Sequence, residues 1–412
     1  VRQRKTQTFW AGDSPVEYKG YHFPNDVYLK DKGWDYDCFT ARGEEAIRNG
    51  MMLHSLVRWY FADKDEAALD LAIGMANHII RESRFYSIDG QYHGHVHSNV
   101  WIASGYAALS RATGDPFFLD WARKIHAFTQ TISSKFGWVP EYGRWRHPGQ
   151  ETSETCCIKD MIQCSLELIA CGDDCWDVVD RFSRNHLAEA QFKSGSFVKP
   201  DNSKEDDALR TYKNLNERVV GGCTGGSHPN TIPIEHFRGV SGCCSGTAPQ
   251  AYAMVWDAAT VAEKGAVTVN LFIDKEVPEA KVETEFPNEG KGSVTAKKDC
   301  DVRIRIPAWA GERITALRDK AVMPLAWQGN LLSFPGLKKG SKVEIAFPLE
   351  DRVETEIAKG TQFDVAWRGS HVVWITPEGP TISLYLRDAN RQRLRDIRLK
   401  KKTGKITATQ QG

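Results

Sequence analysis

No stretch of this 412-residue chain approaches the run of about 20 apolar residues that a membrane-spanning helix needs. Neither charge is in surplus: 54 Lys and Arg face 53 Asp and Glu, for a formal net charge of +1. A nucleic-acid-binding domain usually carries a basic excess, so this balance argues against such a partner. No signal peptide is visible, and the chain begins at Val1 without a methionine. The paired Cys-x2-Cys spacing of zinc fingers and ribbons is also missing. Yet there are ten cysteines, many for a reducing compartment and few for a disulfide scaffold of this length.

What is present is enough apolar material, 41% of residues, for the cores of two domains. The first two-thirds read as helices in succession. Ala68, Leu71, Ala72, Met75 and Ile79 share one helical face, as do Ile102, Tyr106 and Leu109. That second helix ends at Thr113-Gly114. Asp115 then caps another with Pro116 at its first position, carrying Phe118, Trp121, Ala122 and Ile125 on one face. Further helices are predicted from about Ile158 to Ala170, through Trp176, Val179 and Phe182, and from Thr247, where Thr247-Ala-Pro-Gln250 reads as a capping box. Between about Ser194 and Gly242 the helical period stops. This long glycine-bearing segment leads into Cys243-Cys244, which points to an ordered lining of a site.

From about Gly265 the period becomes alternating, through Val267, Val269, Leu271 and Ile273, then Val302, Ile304 and Ile306, then Val343, Ile345 and Phe347. Turns such as Phe286-Pro287-Asn288 and Phe334-Pro335-Gly336 punctuate these runs, as in a β-sandwich. The expected fold is mainly α with a β domain: an (α/α)6-type toroid over residues 1–264, its N-terminal completeness left open, followed by a β-sandwich over 265–412. The centre of such a toroid is a natural pocket for an extended or branched carbohydrate. The basic tail Leu399-Lys400-Lys401-Lys402 reads as a solvated end.

Two segments carry donor atoms for chemistry. Glu154 and Cys156 stand at the start of one helix, and Cys243 and Cys244 just before another. A helix N-terminus stabilises an anion, a thiolate included. The candidate site is Glu154, Cys156, Cys243 and Cys244 around one zinc, an ion that favours tetrahedral thiolate and carboxylate ligands. The residues alone leave three readings open: a reactive metal-held thiolate, a structural zinc, or buried thiols without metal. Cys164, Cys171 and Cys175 read as small buried apolar residues, and Cys38, Cys223 and Cys300 get no stronger reading.

These motifs together resemble the β-L-arabinofuranosidase group of cysteine glycosidases, glycoside hydrolase family 127 and its relatives. Four short stretches between about residues 94 and 309 carry the resemblance, in the family's order: Gly94-His95-Val96-His97-Ser98-Asn99 with Thr113-Gly114-Asp115, Glu154-Thr155-Cys156, Cys243-Cys244, and Arg305-Ile306-Pro307-Ala308-Trp309. The resemblance implies a retaining exo-glycosidase with a zinc-bound cysteine nucleophile, matched by Cys243, and with Glu154, Cys156 and Cys244 as the other ligands. It places the general acid shortly upstream of Glu-Thr-Cys. Glu141 fits that place, with Glu151 as its rival, although the segment is a few residues shorter than the family's. His95, His97 and Asn99 are expected at the sugar, with His228 and His236 as further histidines near Cys243. Trp145, Trp138 and Trp101 are the aromatics nearest the motifs, able to stack on a sugar face.

The expected partner is an oligosaccharide or glycoside, a β-L-arabinofuranoside or another unusual sugar of plant or microbial polysaccharides, with no nucleic acid and no membrane. A homodimer is possible. Zinc thiolates persist best where thiols stay reduced, which favours the cytoplasm, with the periplasm as the alternative. Two other classes compete: a non-catalytic carbohydrate-binding protein with a structural zinc, and a polysaccharide lyase or isomerase using His97 and a tyrosine.

Overall fold

The structure is a computed structural model that describes residues 50–82, 85–92, 94–143, 152–233 and 243–386, together with the short strands Arg2–Gln3, Gln7–Ala11, Ser14–Tyr18 and Tyr21–His22. Cys38, Trp145, Glu151, His236 and the basic tail at 399–402 lie outside the described residues. Two compact units make up the chain, and each is assembled from separated segments. The first comprises Val1–Cys175, Gly222–Pro229 and His236–Thr247; the second comprises Trp176–Gly221, Asn230–Glu235 and Ala248–Gly412.

Helices dominate the first unit: α1 (Leu53–Asp63), α2 (Glu66–Asn77), α3 (Val96–Thr113), α4 (Pro116–Ile132) and α5 (Thr155–Ala170). α3 is the hub, packed by α1, α4 and α5. It comes close to α1 at Gly105, where a Cβ would stand 2.9 Å from the Leu53 side chain and 3.0 Å from the His54 backbone nitrogen. The caps expected at Gly114 and Asp115 are present. Gly114 ends α3 in the left-handed region at φ 74°, a conformation glycine adopts without penalty. The Asp115 carboxylate then accepts from the Phe117 N–H at 2.9 Å to start α4. The predicted apolar faces are buried except at Leu71, which is half-buried: Ala72, Met75, Ile79, Ile102, Tyr106, Leu109, Ala122 and Ile125 are all fully enclosed.

The remaining helices are α6 (Trp176–Phe182), the short α7 (Leu215–Arg218) and α8 (Cys244–Ala259). The predicted start of α8 is corrected: it begins at Cys244, three residues before Thr247. The Thr247 N–H makes a helical bond to the Cys243 carbonyl at 3.0 Å, and its hydroxyl is turned to a sulfur instead of capping.

In the second unit the alternating runs form sheets. One has five strands in the order Thr260–Glu263, Ala266–Val269, Cys300–Arg305, Leu331–Leu337, Trp327–Gln328. Another has six, in the order Lys275–Glu276, Ala280–Thr284, Lys291–Ala296, Lys342–Ala346, Thr315–Arg318, Ala321–Val322. Ala266–Val269 runs parallel to Cys300–Arg305, and every other pairing in these two sheets is antiparallel. The inward residues of both sheets, among them Val267, Val302 and Ile304 from one and Val282, Val294 and Val343 from the other, share one core. A three-stranded meander, Asp351–Ala358, Thr361–Arg368 and His371–Thr376, follows. The chain is thus a helical region followed by a layered β region. Among the described residues, no helix is long and apolar enough to cross a membrane.

Candidate metal centre

The four donor residues expected to converge do so within the first unit. One ligand atom from each of Glu154, Cys156, Cys243 and Cys244 lies within 4.8 Å of the others. The Cys243 thiol reaches Oε1 of Glu154 at 3.1 Å, and the Cys244 thiol reaches the same oxygen at 3.7 Å. The sulfurs of Cys156 and Cys244 are 3.3 Å apart. Glu154, Cys156 and Cys244 are buried, whereas Cys243 is exposed.

Local structure explains the convergence. Glu154 is the residue that precedes α5, the place where a carboxylate normally caps the helix, but it makes no capping bond. It instead gives one oxygen to the thiols and the other, at 2.8 Å, to Nε2 of His95. The short strand Ser153–Glu154 pairs antiparallel with Gly226–Ser227, and the Thr155 hydroxyl donates to the Thr224 carbonyl at 2.5 Å. The glycine-bearing approach to the second cysteine pair is thereby tied to the first. The Gly225 carbonyl accepts from the Cys244 thiol at 3.4 Å.

The electrostatics are those of a crowded anionic site. Burial pushes the Glu154 carboxyl up, but the His95 hydrogen bond, the nearby His95 and His97 rings and the Cys243 thiol outweigh it and bring it down to about 2. Burial, with the Glu154 carboxylate beside it, pushes the Cys243 thiol up to about 12. Cys156, hydrogen-bonded to the Cys244 sulfur, is also pushed up, while that same hydrogen bond holds the Cys244 thiol down. Left alone, this cluster keeps its exposed sulfur protonated at neutral pH. A divalent cation reverses the situation, because crowded anionic donors become its ligands. One carboxylate and three thiols suit zinc. A tetrahedral zinc with sulfur ligands at about 2.3 Å separates its donors by about 3.5–4 Å, close to the spacing found here. The residues therefore fit the ion.

Around the cluster the other expected residues separate. Glu141 is 4% exposed, and one of its carboxylate oxygens accepts from the Thr152 hydroxyl at 3.1 Å. Its backbone is strapped to both sides of the site, the carbonyl accepting from Val96 N–H and the N–H donating to the Thr152 carbonyl, each at 2.9 Å. One donor atom from each of His95, Glu141 and Glu154 lies within 4.8 Å of the others, so Glu154 belongs to both groups. His95 spends both ring nitrogens inside the protein, Nε2 on Glu154 and Nδ1 on the Ser98 hydroxyl at 2.8 Å. Asn99 is fully buried; its amide donates to the His95 carbonyl at 2.9 Å and accepts from the Tyr86 hydroxyl at 2.7 Å. That side chain supports the turn holding His95.

His97 packs edge-on against His95, with ring centroids 5.4 Å apart. His228, half-buried, follows the strand that pairs with Ser153–Glu154 and belongs to neither donor group. Trp138 is buried, its indole donating to the Ser227 carbonyl at 3.1 Å.

Sequence reasoning missed Thr247, whose hydroxyl is 3.1 Å from the Cys156 sulfur. It also missed Lys159 and Asp160. A lysine and an aspartate between the apolar Ile158 and Met161 were the available signal.

No protein-family model and no curated protein matches the sequence. Among solved structures, the fold is similar to that of the GH127 β-arabinofuranosidase BT3674, at 18% identity and a TM-score of 0.58 over 78% of this chain and 55% of that one. It is similar to Ara127N, a GH127 β-L-arabinofuranosidase from Geobacillus stearothermophilus T6, at 15% identity and a TM-score of 0.55 over 78% of this chain and 57% of that one. A protein described as a glycoside hydrolase matches at 15% identity and a TM-score of 0.59, over 84% of this chain and 63% of that one. The chain therefore spans less than two thirds of each of these proteins. At such identities the likeness is one of fold, and at that level it agrees with the resemblance carried by the motifs.

Proposed function

We propose that this chain carries the catalytic core of a retaining exo-glycoside hydrolase in which Cys243 is the nucleophile, held with Glu154, Cys156 and Cys244 on one zinc ion. In this reading the helices belong to an (α/α)6-type toroid extending to about residue 264, with the β-sandwich from 265 as an accessory domain. The observation that carries it is an asymmetry: three of the four convergent ligands are buried, and the fourth, Cys243, is exposed. A purely structural site has no need to expose one ligand.

Bound zinc supplies a thiolate at neutral pH where Glu154 would otherwise keep the thiol protonated. The Cys243 sulfur attacks the anomeric carbon as the glycosidic bond breaks, and the Glu141 carboxylic acid gives its proton to the departing oxygen. The Glu141 carboxylate then takes a proton from water, whose oxygen displaces the sulfur with a second inversion, so the configuration is retained. His97 lies on the substrate side of this scheme. Two fold-similar proteins are described as a β-arabinofuranosidase and a β-L-arabinofuranosidase, which supports a β-L-arabinofuranoside, or another unusual sugar, as substrate.

The test is turnover of a panel of aryl glycosides that includes the β-L-arabinofuranoside. Cys243→Ser is expected to lose about a thousandfold or more in kcat with little change in melting temperature. Full activity of Cys243→Ser on every glycoside that the wild type cleaves would make the site a structural one. An ultraviolet-absorbing unsaturated product would mean a lyase instead.

A further inference from the structure

Beside the sulfur cluster lie three more ionisable side chains that the proposed reaction does not use. Lys159 and Asp160, in the first turns of α5, are 1% and 0% exposed. The Lys159 ammonium donates to Oδ1 of Asp160 at 2.9 Å and sits 4.0 Å from the centroid of the Trp101 ring. Oδ2 of the same carboxylate takes Nδ1 of His97. Enclosing an ion pair costs both partners their hydration, and well-packed apolar side chains of the same volume are often as stable or more so. A lysine–aspartate pair one turn beyond Cys156 is therefore a poor way to gain stability, but it is a good way to fix a geometry.

Burial works against the Asp160 charge, but His97 and Lys159 outweigh it and hold the carboxyl below its usual range. An ionised carboxylate only accepts hydrogen bonds. Nδ1 of His97 must then carry a proton, and the ring's other nitrogen is the one left for a ligand. Among the described residues, Nδ1 is the only ring nitrogen of His97 with a hydrogen-bond partner. His97 is also connected to the reacting sulfur: its ring packs on His95, His95 bonds Glu154, and Glu154 bonds Cys243.

We propose that Asp160, anchored by Lys159, is a positioning residue that fixes the plane of the His97 ring and the proton on its Nδ1, so that Nε2 is the ring atom offered to a sugar hydroxyl beside Cys243. Only the identity of the ligand rests on the glycosidase reading; the arrangement of the proton does not.

The division of labour between the two carboxylate oxygens gives a sharp test. In Asp160→Asn the buried ammonium still needs an acceptor, so it claims the one remaining oxygen. The amide NH2 is then turned to His97 and can only donate. Nδ1 must become the acceptor, and the proton moves to Nε2. The double variant Lys159→Met with Asp160→Asn removes the ammonium, and the amide is free to turn its oxygen back to Nδ1–H.

The measurement is the 15N spectrum of the His97 ring at about pH 8, paired with kcat and KM on a cleaved aryl glycoside. The wild type is expected to show a protonated Nδ1. Asp160→Asn is expected to move the proton to Nε2 and to lose about tenfold or more in kcat/KM. The double variant is expected to regain the Nδ1 proton and most of that loss, which a merely structural role would not produce. An unprotonated Nδ1 in the wild type overturns the proposal, as does an Asp160→Asn protein with unchanged tautomer and turnover. If Asp160→Asn does not fold, the double variant decides: a proton on Nε2 there overturns the proposal, and one on Nδ1 with near-wild-type kcat/KM supports it. If the wild type cleaves no glycoside, the glycosidase reading fails while the ring spectra still decide the positioning.

Discussion

Val302 and Ile304 of one sheet and Val343 and Ile345 of the other meet in a core of apolar side chains, whereas the first turns of α5 bury Lys159 and Asp160 beside Ile158 and Met161. Both interiors are tightly enclosed, but they do different things. In the sheets, the residues of this shared core remove apolar surface from water, and outward positions carry exposed pairs such as Lys281 with Glu283. In the helical unit, the residues nearest the sulfur cluster bury ionisable groups and link them to one another: Lys159 with Asp160, Asp160 with His97, His95 with Glu154. Apolar burial accounts for stability, while paired ionic burial accounts for where a proton or a sulfur is held.

The contrast breaks most readily in the sheet core. Ile304→Ala removes buried methylenes from a filled interior and is expected to cost about 2–5 kcal/mol in denaturant unfolding. A loss below about 0.5 kcal/mol would mean the two sheets do not depend on that shared core.

A smaller effect sharpens the contrast within the helical unit. His126 is as enclosed as His97 but has no acidic partner in contact; its ring nitrogens meet the Ser165 hydroxyl at 2.9 Å and the Gln130 amide at 3.3 Å. Burial, partly opposed by Asp173, therefore lowers His126 from 6.5 to about 4, whereas His97 is raised because the Asp160 contact outweighs burial. For His126 the unfolded chain binds a proton that the folded chain refuses between about pH 6.5 and 4. Its contribution to stability is complete above about pH 6.5 and is lost as the pH falls, by up to about 3 kcal/mol, levelling off below about pH 4. His186, lowered by burial to about 3, adds a loss of the same sign in the second unit. Unfolding midpoints at about pH 7.5 and 5, compared between wild type and His126→Gln, check this; an unchanged pH slope in the variant contradicts it. The smallest expected effect is at the surface. Lys281→Ala breaks an exposed ion pair and should leave the unfolding midpoint unchanged within error.

The sequence made legible whatever depends on near neighbours. The Gly114 and Asp115 caps, the buried faces of α2 to α4 and the alternation in the sheets follow from spacing alone. The four cluster residues were legible because cysteine pairs and a carboxylate at helix starts are uncommon. What it hid depends on distant partners. Thr247 has the local pattern of a cap, but its hydroxyl meets a sulfur that is 91 positions away in the chain. Lys159 and Asp160 look like solvated charges until Trp101 and His97, from α3, enclose them. Asn99 sits in the motif associated with sugar contact, yet the fold spends its amide on His95 and Tyr86.

The account stands on one cation held between Glu154, Cys156, Cys243 and Cys244, and counting bound zinc tests it most directly. Elemental analysis of dialysed protein is expected to find about one zinc per chain in the wild type, and less than about a tenth of that when Cys156 and Cys244 are both replaced by alanine. Wild-type protein that takes up no zinc at micromolar concentrations, or a double variant that keeps its full complement, would contradict it.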